Sequence, residues 1–192
     1  MHRMLGSAVL AFALLPGFAA LAQGAATGGD RGPPMFAKID GIDGESTVKG
    51  HEREIEIFNF SETFRQSVAG RGAGGSAGKF SPGPILFTKV QDKASIGLLR
   101  ACAKGQHIPT VVITAVRLNT KGQAQDFYKI TLKDVLVSAI NEKASGDTLV
   151  DDIQLVYESA RWEVFDPPDA TEWDGKTGKV SETAPAPGRS TR

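Results

Sequence analysis

The sequence predicts a mainly β fold, a small antiparallel barrel or sandwich with one short α-helix. Three observations predict it. Short runs of alternating apolar and polar residues, rich in β-branched and aromatic side chains, recur along the chain. A single 12-residue helical segment carries a cap at each end. The last long run switches its apolar face part-way, as a strand does at a barrel corner.

The first strand candidate is 36–42. The second, 54–60, puts Ile55 and Ile57 on one face and Glu54, Glu56, Phe58 and Phe60 on the other. The third is 85–90. Residues 93–104 form the helix, with Asp92 to cap its N-terminus and Gly105 to close its C-terminus. Ile96, Leu99 and Ala103 share a stripe on it, with Leu98 and Cys102 beside them, and the helix is expected to cover an open barrel end. The run 111–118 is apolar on both faces, the pattern of a central strand. Segments 127–132 and 135–140 are divided by Lys133-Asp134, where the alternation slips and a bulge or bend is expected. In 153–165, Ile153, Leu155 and Tyr157 mark one face and Ala160, Trp162 and Val164 the other.

The chain has 192 residues, with 22 basic against 22 acidic side chains and one cysteine. That length suits one domain. Balanced charge argues against a nucleic-acid binder that works by phosphate neutralisation. A single cysteine excludes an intrachain disulfide framework and a cysteine-based zinc site.

Residues 1–22 read as an export signal. His2 and Arg3 open a short n-region, the run from Met4 to Leu15 is apolar, and Pro16-Gly17 breaks it. Ala20 and Ala22 supply the small-x-small cleavage pattern, which leaves Gln23 as the new N-terminus. The apolar run is shorter than the ~20 residues a membrane span needs, so no stable span is expected after cleavage. Residues 23–34 are Gly/Ala-rich and read as a flexible linker, 35–166 as the β domain, and 167–192 as a disordered Pro-rich tail.

Two motif matches carry no chemistry. Gly70-Arg71-Gly72-Ala73-Gly74-Gly75 fits a dinucleotide fingerprint, but Pro82 and Pro84 follow where a helix N-terminus must meet the pyrophosphate. Gly74-Gly75-Ser76-Ala77-Gly78 fits a nucleophile elbow without the strand and helix that strain the serine. Past His2, only His51 and His107 remain, too few for a metal site. No catalytic constellation and no cofactor are expected, so the chain reads as no enzyme. The Gly-rich stretch from Glu62 to Pro84 is longer than the ~12–15 residues of ordinary loops, which points to a role outside the protomer. Phe58 and Phe60 form an aromatic patch that suits core packing or cover by a neighbouring subunit.

From Met35 to Phe165 the chain resembles the haemolysin-coregulated protein (Hcp) family, the tube protein of the type VI secretion system. The opening Met35-Phe36-Ala37-Lys38-Ile39-Asp40-Gly41 and the strand Glu54-Ile55-Glu56-Ile57 are similar to its first two strands. Phe87-Thr88-Lys89-Val90-Gln91-Asp92-Lys93-Ala94-Ser95 with the helix that follows, and Tyr128-Lys129-Ile130-Thr131-Leu132-Lys133-Asp134, are the most distinctive stretches.

The resemblance implies a hexameric ring, rings stacked into a hollow tube, spike and sheath proteins as partners, small effectors as cargo, and a final location outside the cell. It makes Glu62 to Pro84 the segment that reaches neighbouring protomers or rings. Subunit-interface residues are then expected at Phe58, Phe60, Phe64, Arg65, Gly70, Arg71, Gly72, Gly74, Gly75, Gly78, Lys79 and Phe80. Tube proteins normally leave the cytoplasm through the apparatus without a cleaved signal. Either translation starts at Met35, or this is an exported Hcp-like binding module with another use in the periplasm or outside the cell.

Overall fold

The computed structural model describes residues 33–68, 77–120 and 123–184. The first strands are β1 (Met35–Ile39), β2 (Ile55–Ser61), β3 (Phe64–Val68), β4 (Ala77–Pro82) and β5 (Ile85–Val90). Helix α1 (Lys93–Lys104) follows, then β6 (Ile108–Leu118), β7 (Ala124–Ser145), β8 (Thr148–Phe165), β9 (Pro168–Asp174) and β10 (Lys179–Glu182). Six antiparallel strands pair in the order β8-β5-β2-β1-β6-β7, and β7 returns to β8 to close a barrel. Strands β3 and β4 form a separate two-stranded ribbon.

The barrel closes because β8 serves two partners along one edge. Its first half, 150–155, pairs with β5, and its second half, 159–165, pairs with β9. Its other edge pairs with β7 from Tyr128 to Ser145. Between the halves the inward face changes. Ile153 and Leu155 are buried in the first half, Ala160 and Trp162 in the second. The paired strand changes face at the same level, from Ile130 and Leu132 to Val135 and Val137. At that level Asp134 adopts φ 52, a left-handed conformation that a short polar residue tolerates. The slip read at Lys133-Asp134 is thus a bend within one strand, and two strands turn the corner together.

The expected disordered tail is a correction: β9 and β10 occupy residues 168–182, so the folded body extends past 166. Once β5 ends, the second half of β8 has an edge of unpaired backbone groups. Strand β9 supplies their partners, Ala170 is buried and Trp173 packs edge-on against Tyr157. At the other terminus, the Pro34 carbonyl accepts from Val116 N at 2.8 Å, which joins the last residue of the expected linker to β6.

Helix α1 has the expected bounds. Asp92 and Ser95 form a capping box, and Gly105 closes the helix at φ 57. Its buried face differs from the expected stripe. Ala94, Leu98 and Ala101 enter the core, while Ile96 and Leu99 are exposed. The helix lies against β7, and Gly97 leaves room for Ile42, which would stand 3.0 Å from a Cβ there. Small residues on the inner face let the helix approach, and that requirement outranked the larger apolar stripe.

Candidate subunit interface

The segment from Glu62 to Pro84 is not the structureless loop its composition suggests. Its two ends form the β3–β4 ribbon, with Phe64 opposite Pro82 and Gln66 opposite Phe80. Gly78 is required there: a Cβ would lie 1.3 Å from the Ser67 carbonyl oxygen. Ser67 Oγ accepts from Lys79 N at 2.7 Å across the ribbon. Phe64 and Phe80 stack at 6.1 Å, and Phe64, Arg65 and Lys79 are exposed. Gly70, Arg71, Gly72, Gly74 and Gly75 lie outside the described residues, as do Ala20, Ala22 and Gln23.

The root of this arm is fixed by residues that pattern alone did not single out. Glu62 accepts from Tyr157 Oη at 3.0 Å and from Trp162 Nε1 at 3.0 Å. Phe64 meets the Trp162 ring edge-on at 5.4 Å. Burial raises the Glu62 pKa, against the two donors that favour its charged form. Burial likewise pushes the hydroxyl of nearby Tyr128 up to about 12. One carboxylate therefore clamps the arm to the second half of β8.

Phe58 and Phe60 do not share a face. The β2–β5 register shifts between them, with Asn59 at φ 55 as the extra residue. Phe58 lies opposite Thr88 on the outer side, and Phe60 lies opposite Phe87 and packs against the core. A one-residue bulge reverses every side chain after it, so the aromatic patch expected from strict alternation is divided between the wall's two sides.

Below the helix lies a buried ionic cluster. Lys89 is wholly buried, and its Nζ reaches Asp92 Oδ1 at 2.7 Å, Ser95 Oγ at 2.7 Å, the Val90 carbonyl at 2.8 Å and Asp151 Oδ2 at 3.1 Å. Ser95 Oγ donates to the same Asp151 oxygen. The cluster joins Lys89 of β5 and the helix N-terminus to Asp151 of β8, and its role is to hold the helix on the barrel.

A closed six-strand barrel, a capped helix held by a buried lysine and a two-stranded ribbon after β2 define the protomer. The model of the family described as "Type VI secretion system effector, Hcp" matches residues 36–164. The chain belongs to the Hcp family. Protein hcp1 of Pseudomonas aeruginosa is 37% identical over 126 residues, which cover 64% of this chain and 77% of the relative. The Major exported protein of the same organism is 26% identical over 130 residues, covering 62% of this chain and 73% of the relative. The crystal structure of Hcp1 from Salmonella typhimurium superposes with a TM-score of 0.65 at 27% identity, over 77% of this chain and 98% of that one. The chain is thus a type VI secretion protein with the Hcp fold.

This Hcp-family barrel also carries a histidine site. His51 is buried and stacks on Phe36 at 4.3 Å. Its Nδ1 lies 2.8 Å from Glu54 and its Nε2 3.2 Å from Asp126 on β7. The hydrogen bond to Asp126, then that to Glu54, raise its pKa to about 9 against the opposing effect of burial. The imidazolium ties the β1–β2 connection to β7. A raised folded pKa means stabilisation that is complete below 6.5 and is lost as pH rises towards 9. Thermal melts of the wild type and His51→Gln should therefore converge as pH climbs through that window. A gap that widens instead would contradict the assignment.

Proposed function

We propose that this Hcp-family chain is a structural, non-enzymatic subunit that closes into a homohexameric ring, with rings stacking into a secretion tube. Its partners are then other copies of itself, the spike and sheath proteins of the machine and small effectors in the lumen; it uses no cofactor. The observation that carries this reading is the arm. Strands β3 and β4 pair only with each other among the described residues, and Phe64, Arg65 and Lys79 on them are exposed. A ribbon of two strands is marginal in water by itself and is stabilised by a surface it can pack on. Contacts between unlike faces close into a ring when the rotation closes. The expected interface set, Phe58, Phe64, Arg65, Gly78, Lys79 and Phe80 among its described members, lies on the arm or on the outer wall. Phe60 supports the interface from the core side.

Light scattering on the purified chain, with electron microscopy of the same sample, tests the reading. The expected result is a six-copy particle with a central opening. A strict monomer at high concentration counts against it.

The Ala20-Leu21-Ala22 pattern favours a second reading, an Hcp-like binding module exported first to the periplasm. The intact mass of the protein recovered outside the cell separates starts at Met1, Gln23 and Met35. Deleting the sheath gene should abolish secretion for the tube and leave it unchanged for the module.

A further inference from the structure

The root of the β3–β4 ribbon is held by a carboxyl group that meets only neutral donors. Glu62 stands between the end of β2 and the start of β3 and is half-buried. Its Oε1 accepts from Tyr157 Oη at 3.0 Å and from Trp162 Nε1 at 3.1 Å, and its Oε2 shares the Trp162 donor at 3.0 Å. Phe64 covers Trp162 edge-on, and Trp162 is 7% exposed. The titratable groups that face Glu62 are Tyr157 of β8 and Tyr128 of β7, whose hydroxyls are pushed upward by burial first and then by the Glu62 charge. Among the described residues no cation acts on it.

A carboxylate partly removed from water favours its protonated form more than a hydrated one does. Here burial outweighs the two hydrogen bonds and holds Glu62 above its ordinary value of 4.5. The geometry accommodates the proton. Placed on Oε2, it leaves Oε1 to accept from both Tyr157 and Trp162, so neither donor loses its acceptor. A ribbon swung off the barrel would return the same group to water. The two positions therefore bind the proton unequally, and by linkage the proton favours the closed one.

We propose that Glu62 is a proton-operated latch on the ribbon, shut when its carboxyl group is protonated and loosened when it ionises. The hold is complete below 4.5 and is lost as pH rises through the raised value. Both strands follow the latch, because Gly83 N donates to the Thr63 carbonyl at 2.6 Å and ties their roots together. The latch acts within one copy and does not depend on assembly.

The accessibility of one tryptophan tests it. The chain has two, so Trp173→Phe leaves Trp162 as the reporter beneath Phe64. Its quenching constant with acrylamide, a neutral quencher, should rise by about twofold or more from about pH 5 to about pH 8, with a midpoint above 4.5. In the same background Glu62→Gln, a neutral isostere, should keep the constant at its acid value throughout. Every other titratable group is unchanged in that variant, so the difference isolates Glu62. Phe64→Ala should raise the constant at every pH. A flat trace from the Trp173→Phe chain overturns the latch even where Glu62→Gln fails to fold. A Glu62→Gln chain that follows the same step overturns it too, and either result leaves the ring reading intact.

Discussion

Lys89→Met is expected to destabilise the barrel by about 3–5 kcal/mol, because it leaves a buried carboxylate without its cation. Asp151 is 1% exposed, and its Oδ1 already has no partner, so Lys89 and Ser95 supply the interactions its charge has. Asp92 would keep its bonds to the helix N-terminus, since the capping box does not pass through Lys89. The loss should therefore appear as general instability with the helix bounds unchanged. Urea denaturation at fixed protein concentration measures it, fixed because assembly would itself shift the midpoint. Lys89→Met combined with Asp151→Leu should regain most of the loss, since an apolar pair of similar volume removes the unpaired charge. A single variant within 1 kcal/mol of wild type would show that the Lys89–Asp151 pair does not hold the barrel together.

Gly78→Val is expected to have the opposite profile, with assembly lost and the barrel spared. The added Cβ collides with the Ser67 carbonyl across the ribbon, and a main-chain oxygen cannot turn aside as a side chain can. Strands β3 and β4 must separate. The barrel is closed by β8-β5-β2-β1-β6-β7 without them, so its unfolding free energy should change by no more than about 0.5 kcal/mol, the scale of surface substitutions. Light scattering should then report single copies from a chain with wild-type circular dichroism. Normal rings from Gly78→Val would remove the arm from the interface and with it the reading of the Gly-rich segment as an assembly device.

The helix was legible to the residue because its signals are local. Asp92 and Gly105 act on backbone groups within one turn, and both cap it as expected. Its buried face was not legible: Ile96 and Leu99 look like core residues in a stripe, but the face turned to the barrel is Ala94, Leu98 and Ala101. Alternation likewise identified β2 and failed at Asn59, where one extra residue with positive φ reversed the order of faces. Strands β9 and β10 were hidden behind Asp166-Pro167-Pro168, because prolines mark a turn and say nothing of what the chain does after it.

The candidate interface was legible as a segment and not as an object. Length and glycine content marked residues 62–84, while the ribbon and its root at Glu62 and Trp162 come from residues apart in the chain. Lys89 reads as a solvated lysine in a strand until Asp151, 62 positions later, is placed beside it. The local order of residues thus determined the six barrel strands, the helix and its caps, the corner in β8 and, through quoted stretches, the family. Closure of the barrel, the buried charge pairing and the division of Phe58 from Phe60 were decided by tertiary structure. Those features depend on which groups a closed wall brings within hydrogen-bond reach, and a one-dimensional pattern carries no such distances.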